Sequence, residues 1–293
     1  MLVKKLTLMS SDFPEPLRHI PQPPRQLYAT GAPLKELLIR PRVAIVGSRK
    51  ITPYGKQVTA NLASRLAGQG IIVVSGLALG VDAWGQQAAL EAGGQVIGVL
   101  PGPIENIVPA TNRPLARRIL EQGGALVSEY GAGEPPYRQN FIARNRLVSG
   151  LADAVVITEA AEKSGSLHTA RFALEQGREM LAVPGDITKP NSIGTNNLLK
   201  AGHAAAVTSF EDVLHALGLQ SHETVIQKVR GRDANEQNLL DLLSEGLSDG
   251  AELLERSQLQ TSEFNRALTM LEISGKIYAL GANHWAIQVT NKP

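Results

Sequence analysis

The chain has 293 residues, no cysteine, a formal net charge of +2 and only 4% aromatic residues. That length accommodates one large domain with its own core plus a small one, and the lack of cysteine excludes a disulfide framework and thiolate metal sites. No run approaches the length of a membrane span, and MLVKKLTLMSSDF lacks the apolar core of a signal peptide, so a cytoplasmic protein without a membrane partner is expected.

The first 41 residues are rich in proline (FPEPL, IPQPP, then LYATG) and read as an extended strap packed on the main domain, with only Leu34 to Ile39 regular. From Arg42 the pattern changes. The apolar runs RVAIVG, IIVVSG, QVIGVL, ALVSE, DAVVIT, EMLAVPG and AAAVT recur as far as Thr208. Between most of them lie helical stretches such as Gly55 to Gly68, Val81 to Ala92 and Leu167 to Gln176. Near-continuous Val/Ile runs alternating with amphipathic helices indicate parallel strands covered on both faces. Residues 42–219 are therefore expected to form an α/β, doubly wound, mainly parallel Rossmann-like sheet, closed by SFEDVLHALG with Ser209 as a helix cap.

Residues 220–235 are polar and without a strong period, and read as a linker. In residues 236–293, EQNLLDLLSEG, GAELLERSQ and TSEFNRALTMLEISG repeat apolar residues at spacings of three and four. KIYALG and HWAIQV follow, joined by a tight Ala-Asn turn. Three helices and a hairpin form the winged-helix pattern. Charge divides unevenly between these parts. Residues 220–293 hold seven Lys/Arg against ten Asp/Glu, a balance of −3, and the remainder holds 22 against 17, or +5. A polyanion site is expected in the larger part.

Ligands of an open parallel sheet sit at the carboxyl ends of the strands, where loop amides and helix N-termini face outward. Here those ends carry Gly47-Ser48-Arg49, then Ser75 to Asp82 (SGLALGVD), Pro101-Gly102-Pro103, and Lys163 to Thr169 (KSGSLHT). Glycine lets the backbone approach an oxygen closely, and Ser and Thr add short donors, a set suited to phosphate. Two nucleotide motifs fail. GSRKITPYGKQ has seven residues between its glycines where a Walker A loop has four, and Gln57 replaces its Ser/Thr. Gly76, Gly80 and Gly85 do not fit G-x-G-x-x-G.

The stretch RQNFIARNRLVSG places Arg138, Arg144 and Arg146 within nine residues, with Phe141 and Asn145 four apart on one helix face and the helix starting near Asn140. Guanidinium forks suit phosphates, and a phenylalanine among them offers a stacking face for a base. A scaffold reading stands beside this one: Arg144 and Arg146 paired with Glu129, Asp153 or Glu159, and Phe141 in the core. The six histidines show no i, i+4 pair, so no metal and no cofactor are expected. His168 reads as a helix-start residue or a general base. Asp82 reads as a first-turn carboxylate favoured by the helix dipole, with acid/base chemistry the alternative.

Taken together and in order, these segments resemble the DNA processing protein A family (DprA, also called Smf). The matching residues are VAIVGSR, VVSGLALGVDAWGQQAAL, GVLPGPIENIVPATN, SEYGAGEPP, FIARNRLVSGLADAVVITEA, KSGSLHTARFALEQGREMLAVPG and GTNNLLKAG, spanning roughly Arg42 to Thr208. The resemblance implies a non-enzymatic, single-stranded DNA-binding recombination mediator that protects incoming strands and helps load the RecA recombinase in natural transformation. It also implies a homodimer formed through the α/β domain. Gly47, Ser48 and Arg49 match the family's phosphate-holding turn. Arg138, Phe141, Arg144, Asn145 and Arg146 fall in its nucleotide-binding segment, and Ser164, Gly165 and Ser166 in its second Gly-Ser turn, flanked by Lys163 and Thr169. The winged helix matches a common C-terminal appendage of the family. Its TSEFNRALTMLEISG offers Arg266 alone against Glu263 and Glu272, so a protein-contact role is expected rather than duplex binding.

Two other readings compete. Nucleotide phosphoribohydrolases resembling the lysine-decarboxylase-like family share the sheet class, but carry a Gly-Gly-x-Gly-Thr-x-x-Glu turn with a working carboxylate. Here the turn reads SGSLHTARF, and Ala170 to Ala173 contains none. A transcription regulator rests on the winged helix alone and is disfavoured by its acidic surface.

Overall fold

The computed structural model describes residues 3–219 and 229–288. Val, Ile and Ala dominate seven short parallel strands: β3 (Arg42–Val46), β4 (Ile72–Ser75), β5 (Val96–Leu100), β6 (Ala125–Ser128), β7 (Ala154–Ile157), β8 (Glu179–Ala182) and β9 (Ala205–Ala206). Every residue of β3 through β7 is buried, as expected for strands covered on both sides. From β3 the chain moves outward through β4, β5 and β6, then returns to the other side of β3 and continues through β7, β8 and β9. The order therefore reverses between β3 and β7, and the loops after those two strands open at the switch point.

The connections are helical: α3 (Pro53–Gly68), α4 (Val81–Glu91), α5 (Arg113–Glu121), α6 (Arg138–Gly150), α7 (Ser166–Glu175) and α8 (Ile193–Lys200), with α9 (Phe210–Ala216) after β9. Helix α3 packs on α4, and α6 on α7. The second pair shares an apolar cluster with Ala44, Val46, Val155 and Ile157 of the sheet. Ser209 and Asp212 form a capping box at the start of α9, with the Ser209 N–H donating to Asp212 Oδ2 at 2.8 Å. Helix α6 begins at Arg138, two residues earlier than its sequence suggests.

The N-terminal strap is more regular than expected. It contributes β1 (Lys4–Thr7) and β2 (Gln26–Gly31), besides the short helices α1 (Glu15–Arg18) and α2 (Leu34–Leu37). β2 pairs antiparallel with β6, placing Tyr28 opposite Ser128, so the sheet has nine strands. The prolines confine themselves to the turns and helix starts around these elements. Gly31, at φ +97°, ends β2 where a Cβ would lie 2.3 Å from Gly124 O, so only glycine permits this approach. Leu17 of α1 is wholly buried and lies over Gly150 at the end of α6, where a Cβ would come within 2.7 Å of its Cδ2.

The chain divides into two compact units, residues 1–221 and 222–293. In the second, α10 (Ala234–Ser244), α11 (Gly250–Ser257) and α12 (Thr261–Ile273) precede a hairpin of β10 (Ile277–Gly281) and β11 (His284–Ile287). Ala282 and Asn283 turn the hairpin at φ 51° and 60°, a conformation that Asn tolerates well. Leu239, Leu243, Phe264, Leu271 and Ile277 form the core. Of the expected linker 220–235, residues 220–228 lie outside the described residues. Its end is already structured: the Asp233 carboxylate accepts the Glu236 N–H at 2.9 Å and starts α10 at Ala234.

If the strap is an integral part of the first unit, Leu17→Ala costs about 2–5 kcal/mol of stability, since it empties a fully buried site beside Gly150. Urea unfolding measures this; an unchanged midpoint assigns the strap a peripheral place.

Candidate nucleic-acid interface

At the switch point three strand-end loops share backbone contacts. The Ser48 N–H donates to Glu159 O at 2.7 Å, joining the loops after β3 and β7. Ser48 O accepts the Val81 N–H at 3.1 Å, joining the loop after β4. Gly80, at φ +80°, makes that approach possible, because a Cβ there would lie 2.2 Å from Ser48 O. The buried Ser48 hydroxyl closes the turn on itself, accepting the Lys50 N–H at 3.1 Å and donating to Lys50 O at 3.0 Å. Between these two residues Arg49 stands exposed.

The Arg49 guanidinium carbon lies 5.6 Å from the centre of the Phe141 ring, a cation–π contact between the first loop and α6. One turn further along α6, the Asn145 side-chain amide donates to Gly165 O at 3.4 Å. The Ser164 and Ser166 hydroxyls lie 2.8 Å apart, and Gly165 faces open space at the start of α7, whose N-terminus has no side-chain cap. Lys163 is exposed before this turn, and Arg138 is exposed as the first residue of α6. The structure thus joins Arg49, Phe141, Asn145 and the 163–166 turn into one continuous rim.

Arg144 differs from the expectation. Only 3% of it is exposed. Its Nη1 donates to Gly76 O at 2.5 Å and to Val99 O, and its Nε donates to Asn145 Oδ1 at 3.2 Å. Gly76 is required here, because a Cβ would come 2.5 Å from the guanidinium. The Gly76 N–H in turn donates to the buried Asp82 carboxylate at 3.0 Å. Burial pushes the Asp82 carboxyl up, against the opposing pull of Arg144. Burial likewise lowers Arg144 to about 10, with Asp82 opposing the shift and the charge of Arg49 adding to it. Arg144 remains a cation at neutral pH, enclosed under the rim.

Arg146 is also scaffold. It is 8% exposed, and its Nη2 donates to both Glu129 carboxylate oxygens at 2.7 Å. Of the partners the scaffold reading named for this pair, Glu129 holds Arg146, whereas Arg144 is buried against backbone carbonyls instead. Thr169 is 1% exposed within α7 and presents nothing outward. Glu159 is buried too, its Oε2 accepting the Thr52 N–H at 3.0 Å next to the start of α3. His168 sits half-buried in the first turn of α7, with its N–H bonded to Gly165 O.

Sequence reasoning placed Asp82 in the first turn of its helix, as the structure does, but missed how it and Asn112 support this rim. Asp82 anchors the loop that carries Gly76, and the Asn112 amide clips the same loop by donating to Leu77 O at 2.8 Å. The Gly-rich SGLALGVD was the available signal for the first; nothing local marks the second. Among the described residues no cluster of three His, Asp or Glu could hold a metal, and no helix is long and apolar enough to cross a membrane.

Comparisons with known proteins agree with this architecture. The profile of the family described as DNA recombination-mediator protein A matches residues 4–218, and that of the DprA winged helix domain matches residues 227–283. The chain is 45% identical over 181 residues to protein Smf of Escherichia coli, covering 62% of this chain and 48% of that protein. It is 39% identical over 216 residues to the DNA processing protein DprA of Bacillus subtilis, covering 73% and 71% respectively. The matched part therefore spans about half the length of the first relative. Among solved structures, DprA of Streptococcus pneumoniae superposes with a TM-score of 0.68 at 35% identity, over 75% of each chain. DNA processing protein A of Helicobacter pylori, described for its single-stranded DNA binding mode, superposes with a TM-score of 0.66 at 36% identity, over 74% of this chain and 96% of that one. With its parallel sheet, its winged helix and its matches over most of the length, the chain belongs to the DNA recombination-mediator protein A family.

Proposed function

We propose that this chain binds single-stranded DNA, with little sequence preference, along the rim formed by the loops after β3 and β7 and the start of α6. One observation carries the reading: Arg49, exposed and charged, stacks on Phe141 beside an open Gly-Ser turn at a helix N-terminus. Phosphate suits the cations Arg49, Arg138 and Lys163 and the open backbone of Gly165 between Ser164 and Ser166, while the Gly47-Ser48 turn, whose Ser48 N–H is held by Glu159 O, presents Arg49 to it. A base suits the face of Phe141, with Asn145 beside it as a hydrogen-bonding group. Arg144 positions this surface from beneath instead of touching the strand.

The wider role we assign is that of the family: a mediator that holds incoming single strands and helps a RecA-type recombinase to load, acting as a homodimer of the α/β unit in the cytoplasm. Binding without chemistry fits the site. Its buried carboxylates, Asp82 and Glu159, are occupied by backbone N–H groups of Gly76 and Thr52, and the Gly-Ser turn offers no carboxylate of its own. The phosphoribohydrolase reading is tested directly, by assaying nucleoside monophosphate hydrolysis beside a competition gel of single-stranded against double-stranded oligonucleotides. Hydrolysis without strand preference reverses the assignment.

Arg49→Ala weakens single-strand binding and lowers the slope of log K against log salt by about 0.7, the loss of one phosphate contact. Phe141→Ala weakens it by about 1–3 kcal/mol while the salt slope stays, because stacking carries no net charge. Anisotropy titrations at several salt concentrations read both, and unchanged affinity in the two variants shows the rim to be misplaced. Arg144→Met acts on folding instead: it takes the donor away from the buried Gly76 and Val99 carbonyls and costs about 1–3 kcal/mol in denaturant unfolding. Removing residues 220–293 leaves most single-strand affinity intact; its loss would assign binding to the second unit.

A further inference from the structure

We infer that Tyr54 is a second stacking platform for the same strand, on the side of the rim next to β8, with Lys50 and Lys189 beside it for the backbone; this rests on the single-strand reading above. Tyr54 is the second residue of α3, directly after Pro53, whose ring fixes φ at the helix start. Its hydroxyl donates to Pro184 O at 2.8 Å, in the loop that follows β8. The ring is held at both ends, yet 48% of the residue remains exposed. A tyrosine with its polar tip satisfied and half its surface in water presents an ordered apolar face, the form in which aromatic side chains receive bases.

The neighbourhood favours a polyanion. The Asn191 amide donates to Lys50 O at 3.2 Å, so the loop after β8 lies alongside the turn that carries Arg49. Lys50 and Lys189 are both exposed on these adjoining segments. Burial and the nearby Glu159 raise the Tyr54 hydroxyl above its ordinary value, which keeps it neutral and bonded to Pro184. Phe141 stands on α6, which shares its apolar cluster with one face of the sheet, and Tyr54 on α3, which packs with α4 outside that cluster. A strand crossing the rim from the α6 side therefore meets Phe141 first, the Arg49–Lys50 turn next, and Tyr54 after it. Two platforms separated by cations give the alternation of stacking and phosphate contact that tolerates any sequence.

The test uses the full chain and a ladder of oligothymidines. Tyr54→Ala weakens binding of long oligomers by about 5-fold or more, at an unchanged salt slope, and leaves the shortest ones, which reach Phe141 only, bound as before. Tyr54→Phe keeps the ring, loses the bond to Pro184 and binds the whole ladder like the parent. Equal losses in the Phe and Ala variants overturn the proposal, since they trace the effect to anchoring of the loop. Parent-like binding by Tyr54→Ala beside weakened binding by Phe141→Ala overturns the second platform alone; parent-like binding by both overturns the site as well. In the unaltered chain, irradiated 5-iodouracil oligonucleotides cross-link to a peptide containing Tyr54, and cross-links confined to α6 count against it.

Discussion

The rim depends on a guanidinium that never reaches solvent. Arg144 ties the carbonyl ends of β4 and β5 to α6, through Gly76 O and Val99 O, and its counter-charge Asp82 holds the same loop from the other side. Desolvating such a pair is costly, and the cost is offset by the Arg144 Nε and Nη1 donors, which meet Asn145 Oδ1, Gly76 O and Val99 O, while Asp82 accepts the Gly76 N–H. What results is positional. With Arg144 fixed, α6 cannot rotate, and Phe141 and Asn145 are presented at set heights above the sheet edge. The buried cation has a second effect. Arg49 above it depresses its ionisation, which is to say that the two charges repel.

This explains why three arginines of one short helix have different roles. In the sequence Arg138, Arg144 and Arg146 are equivalent fork-shaped cations, and only partners remote in the chain separate them. Glu129 claims Arg146, and Gly76, Val99 and Asp82 claim Arg144. Arg138, at the solvent end of α6, stays on the surface. Local spacing correctly put Phe141 and Asn145 on a common face, since that follows from helix periodicity alone. Burial of a charged residue follows from the strand order, which the sequence does not state.

The same distinction governs the fold. The central parallel strands β3 to β7 were legible because each is a run rich in Val, Ile, Leu or Ala whose burial on both faces leaves no polar alternation to confuse the pattern. The strap was not, because β2 is half-exposed and its pairing with β6 is set by Gly31 fitting against Gly124, a fit between distant residues. The winged-helix unit was legible from helical periodicity and the Ala-Asn turn. Only its start was displaced, by the Asp233 cap.

Charge then argues for a division of labour between the two units. Residues 220–293 carry a balance of −3, and the exposed positions of α12 include Glu263 and Glu272 with Arg266. A polyanion gains nothing from approaching that helix, whereas the larger unit concentrates Arg49, Lys50, Arg138 and Lys163 on exposed positions of its strand-end loops and helix start. Counterion release on binding any polyanion would therefore originate in the first unit. The second unit has its own apolar core and its own capped helices, with Asp233 starting α10. Its excess of carboxylates repels a polyanion, so the exposed cations of the first unit's strand-end loops meet no competition from it.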